Sequence, residues 1–70
     1  MDTITVPFET TAYGHNLTGT AEMFGWTPDE RTARILASLD PKQARRAALR
    51  CMRAAARAYD AAHDARCAAK

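Results

Sequence analysis

The chain is short of the usual means of holding a small protein together. It has 70 residues with only two cysteines, Cys51 and Cys67. On one helix, those two would stand about 24 Å apart, far beyond the roughly 7 Å between Cα atoms that a disulfide tolerates. An intrachain bridge within a helix is therefore excluded, one between chains is not, and free thiols fit a reducing cytoplasm. There is no CxxC pair and so no recognisable zinc knuckle. The chain also has three glycines, three prolines and one tryptophan, with aromatics at 7%. Nothing approaches the run of about 20 apolar residues that spans a membrane. The segment Met1–Val6 carries Asp2 and no basic residue or apolar stretch after it, which argues against a secretory signal. Without one, the sequon at Asn16–Thr18 reads as coincidence. The expected location is cytoplasmic, with no membrane contact.

Seventy residues allow one domain, and a domain this small buries only about 60% of its unfolded surface. Charge is unevenly divided. Residues 1–40 hold two basic and six acidic side chains, and residues 41–70 hold eight basic and two acidic. The net of −4 against +6 says more than the overall +2.

The local patterns predict an all-α protein: an extended arm and loop over 1–20, then helical structure over 21–70. In the arm Ile4, Val6 and Phe8 alternate with Thr3, Thr5 and Pro7, a strand pattern that Pro7 confines to an edge. A lone strand must pair with a second chain or lie over the helices. Residues 10–20 are turn-rich, and "TAEMFGW" reads as one helical turn between Thr20 and Gly25. Thr27 as cap, Pro28 at the first helical position and Glu30 three residues on predict a short helix over 28–39. The same grammar recurs at Asp40, Pro41 and Gln43 and opens a long helix over 41–68, about 41 Å in length. Alanine, the best helix former, dominates that segment. The two helices are expected to form an αα-hairpin joined at Asp40–Pro41. Met23, Phe24 and Trp26 with Ile35, Leu36 and Leu39 are the expected core.

At 100° per residue, Lys42, Arg46, Arg50, Arg53 and Arg57 form one stripe of the long helix, which Asp60 and Asp64 continue. Leu49, Met52 and Tyr59 rise as larger pegs from an alanine-lined opposite side, expected to be a helix–helix seam and a route to a homodimer. The stripe suits an acidic protein surface, the acidic half of the same chain, or nucleic acid phosphates. Against nucleic acid stand the small net charge, the absence of a known fingerprint and the lack of aromatics for stacking.

Chemistry has little to work with. Cys67 and His63 share a helical side at i,i+4, but a helix C-terminus raises a thiol's pKa, and no third group or Gly-rich loop completes a catalytic set. In a dimer, two such pairs would make a four-ligand zinc site, a weak signal. No catalytic residue, metal or cofactor is expected. The sequence reads as a small non-enzymatic regulator or inhibitor of a larger protein or nucleoprotein assembly, in the manner of phage or plasmid accessory proteins. Its expected contacts are Arg46, Arg50, Arg53, Arg57, Leu49, Met52, Tyr59 and the anchor Trp26. The alternative is a nucleic-acid-binding module using the same arginines.

Overall fold

The computed structural model describes residues 4–68, with only the backbone of Cys67 and Ala68. It is α+β, which overturns the all-α expectation. Strands Val6–Ala12 (β1), His15–Glu22 (β2) and Gly25–Pro28 (β3) form an antiparallel sheet in the order β1-β2-β3, followed by helices Glu30–Ser38 (α1) and Pro41–Ala68 (α2). The arm pairs with its own chain: Val6 lies opposite Ala21, Phe8 opposite Gly19 and Thr10 opposite Leu17. The turn is Tyr13–Gly14, with φ of 53° and 76°. Two consecutive left-handed residues match the right-handed twist of a two-residue hairpin, and Gly14 adopts that conformation without a Cβ penalty.

The segment expected to form a helical turn is instead the end of β2, the Met23–Phe24 connection and the start of β3. Thr27 and Pro28 close β3, so the helix start lies two residues later, where the Asp29 carboxylate accepts a hydrogen bond from the Thr32 amide at 2.7 Å. The second start stands as the residues suggest: Asp40 accepts from the Gln43 amide at 2.8 Å, and α2 runs unbroken from Pro41 to Ala68.

The sheet also overturns the αα-hairpin. The helix side lined by Ala47, Cys51 and Ala55 is fully buried, and it packs with Phe8, Ala12, Leu17 and Ala21 of the strands. Small side chains on both layers let the helix approach the sheet closely. Phe8 fills the space over Gly19 and meets Trp26 edge-on, with ring centroids 5.8 Å apart. A Cβ on Gly19 would crowd the Thr27 carbonyl and come within 2.8 Å of the Phe8 ring. Ile35, Leu36, Leu39 and Trp26, expected to make the core, instead pack partly buried at its margin, and Met23 and Phe24 are exposed.

Helix α1 protects the part of β2 that β3 is too short to reach. The Asp29 amide donates to the Thr18 carbonyl at 3.1 Å, and the Thr18 amide donates to the hydroxyl of fully buried Thr32 at 2.9 Å. The Thr18 hydroxyl donates to the Asp29 carboxylate, and Arg31 donates to the Asn16 carbonyl at 2.8 Å. A helix cap thus continues the ladder after the strand has ended.

Two outcomes follow from this packing. Gly19→Ala destabilises the fold by about 1–3 kcal/mol, the usual cost of overpacking, read from chemical denaturation. The Thr18 hydroxyl, then the Thr32 amide, hold the Asp29 carboxyl below its ordinary value of 3.8. Folding therefore favours the ionised form, and that contribution is complete above pH 3.8 and fades as pH falls through the lower folded value. Asp29→Ala lowers the melting temperature at pH 7 and flattens its decline below pH 4, compared by thermal scans across pH.

Candidate interaction surfaces

Helix α2 has three sides, and the sheet assigns each a different role. The first is the buried seam of Ala47, Cys51 and Ala55. The second, turned toward the β1 edge, carries Arg50, Arg53 and Arg57. With Pro7, Phe8, Glu9 and Thr10 they line a groove of about 480 Å³. Arg50 reaches across and donates to the Thr11 carbonyl at 3.1 Å. Arg46 continues the same helical line one turn earlier but lies outside the groove. Among the described residues, none of Arg46, Arg50, Arg53 and Arg57 has an ion-pair partner. Arg34, in α1, pairs with Glu30 at 2.8 Å. Among the described residues, no acidic side chain of the N-terminal half forms an ion pair with the stripe.

The third side faces the β3 edge. There Met52, Ala56 and Tyr59 meet Met23, Phe24 and Trp26 around a cleft of about 450 Å³. Phe24 stands at the tip of the β2–β3 turn with 94% of its surface exposed, Met23 with 62% and Met52 with 47%. Tyr59 stacks on His63, ring centroids 6.2 Å apart. Of the sequence-derived contacts, Trp26, Met52 and Tyr59 converge here, Arg50, Arg53 and Arg57 converge on the opposite edge, and Leu49 is exposed but joins neither. The pegs and the alanines, read from the sequence as one seam, are two adjacent sides.

Sequence reasoning placed Met23 and Phe24 in the core and so missed them as surface residues. Their position beside Gly25 in a two-residue connection was the available signal, since a tight turn points its central side chains outward.

Cys51 is completely buried in the described core, and desolvation pushes its thiol pKa up. The pairing of Cys67 with His63 lies outside the described side chains. Among the described residues no three of His, Cys, Asp and Glu gather closely enough to hold a metal ion, and no helix is long and apolar enough to cross a membrane.

In a Cys67→Ser background, a thiol reagent at neutral pH modifies Cys51 only at the rate of unfolding, and immediately in denaturant; fast modification of the native protein would contradict the packing of α2 on the sheet. Comparison of the chain with family models, with curated proteins and with solved structures returned no match.

Proposed function

We propose that the protein is a small non-enzymatic regulator or inhibitor that acts by docking on a larger protein. The observation that carries this reading is the placement of Phe24. A chain this short in large apolar residues leaves a phenylalanine 94% exposed at a turn tip, flanked by Met23 and Met52. Contiguous apolar surface of this kind marks interaction sites, and aromatic anchors dominate binding energy. Methionine adds an adaptable, polarisable contact. The cleft behind the tip is bordered by Glu22 and Asp60, so an apolar centre has a polar rim.

The second reading is direct nucleic-acid binding. It is favoured by the alignment of Arg46, Arg50, Arg53 and Arg57, which have no ion-pair partners among the described residues. Against it, Arg50 is engaged with the Thr11 carbonyl, and Asp60 extends the same helical line.

A photoreactive phenylalanine analogue at position 24, expressed in the native host, tests the two. The expected result is an adduct with one discrete protein that disappears when Met52→Asp is added, with the fold verified by Cys51 protection. An adduct with a second copy alone would mean self-association instead. Absence of any protein adduct, together with duplex binding that weakens steeply with salt and vanishes in Arg50→Glu/Arg53→Glu, would establish the nucleic-acid reading.

A further inference from the structure

The two edges of the sheet are treated differently. The exposed part of β2 is covered by α1, as described above. Among the described residues, the outer edge of β1 has only the Arg50 contact. In a two-residue hairpin the residues flanking the turn form a hydrogen-bonded pair, here Ala12 with His15. Alternation then directs the main-chain groups of Thr10, Phe8 and Val6 toward β2, and those of Thr11, Glu9 and Pro7 outward. Two features agree with this. The outward position at Pro7 has no N–H to leave unpaired, and the Thr11 carbonyl is the one that Arg50 reaches. The amides of Glu9 and Thr11 and the carbonyls of Pro7 and Glu9 remain open for a fourth strand.

Beside this open edge stand Arg50, Arg53 and Arg57, on the helix side of the groove. A strand added to β1 would direct every second side chain toward α2 and into that row of guanidinium groups. From this juxtaposition we propose that the β1 edge is a strand-addition site for an extended acidic segment of another protein, with carboxylates at alternate positions. Main-chain bonds to Glu9 and Thr11 provide affinity, and the arginines select the charge pattern.

A second copy is a poor occupant. Antiparallel pairing of two β1 edges about Glu9 puts Glu9 opposite Glu9 and both α2 helices on one side of the joined sheet. The two arginine rows then face each other, and like charges in such positions destabilise pairing. A partner with the opposite charge removes both conflicts. The inference rests on the β1 edge and is independent of the Phe24 surface on the opposite side.

The test uses a fluorescent octapeptide of alternating glutamate and valine, and a control in which proline replaces every valine. The control keeps the charge but cannot pair as a strand. The expected result is binding at low salt, at least tenfold weaker for the control and at least tenfold weaker for Arg53→Glu/Arg57→Glu. The peptide also slows hydrogen exchange at the Glu9 and Thr11 amides of the unmodified protein. Glu9→Pro, which removes one outward amide and no positive charge, weakens binding while circular dichroism stays unchanged. Should that variant not fold, the exchange measurement decides alone. Equal binding of the two peptides, or no protection at Glu9 and Thr11, would overturn the proposal, as would a single-stranded oligonucleotide that displaces the peptide and binds Glu9→Pro undiminished. Phe24→Asp leaves peptide binding unchanged, so failure at one surface is separable from failure at the other.

Discussion

The close approach of α2 to the sheet is the constraint on which the rest of the structure depends. Ala47, Cys51 and Ala55 on the helix pack with Ala12, Leu17 and Ala21 on the strands, and Phe8 occupies the space that Gly19 leaves. Phe8 and Leu17 are the two large side chains in this layer, and the other buried members are alanines and Cys51. Each small side chain contributes only modest burial energy, so stability depends on close packing over many contacts rather than on a few large residues. The surface follows from the same arrangement: Met23 and Phe24 stand at the β2–β3 turn, and Leu49 and Met52 lie on sides of α2 other than the buried seam, so all four are exposed.

A three-stranded sheet must also manage two edges, and the protein does so with different chemistry on each. On the β3 side a short strand hands over to a helix start, with Asp29 and Thr32 continuing the hydrogen bonds that a longer strand would have made. On the β1 side the device is a proline and an arginine. Both discourage unselective pairing: proline removes a donor and arginine repels other cations. Helix α2 therefore does more than cover the core. One flank sets the charge beside β1, and the other sets the shape beside β3.

The helices were legible in the sequence and the sheet was not. Asp40, Pro41 and Gln43 announce the start of α2, and an alanine-rich run with no glycine or proline carries it to Ala68. The strands hide because their inward positions hold Ala12, Gly19 and Ala21, whose side chains add almost no hydropathy to an alternating pattern. Thr10, Thr11, Thr18 and Thr20 were the available sign, being β-branched residues that suit a pleated surface. Taking Thr27–Pro28 as the first cap moved the start of α1 by two residues and concealed β3. The arginines lie along α2, as helical spacing implies; which three of them share a groove depends on β1, which only the fold reveals. Misplacing Phe24 had the same root, since without a hairpin there is no turn to put it outside.

The hydrogen bond from Arg50 to Thr11 joins positions 39 residues apart, and α2 touches every other element of the fold. Contacts of such long sequence separation form late and slowly for a chain of this size. During synthesis the strands appear well before the helix that completes them, and their apolar side has no cover in the interval. The sheet's apolar side is therefore covered only once α2, the last element of the chain, is in place.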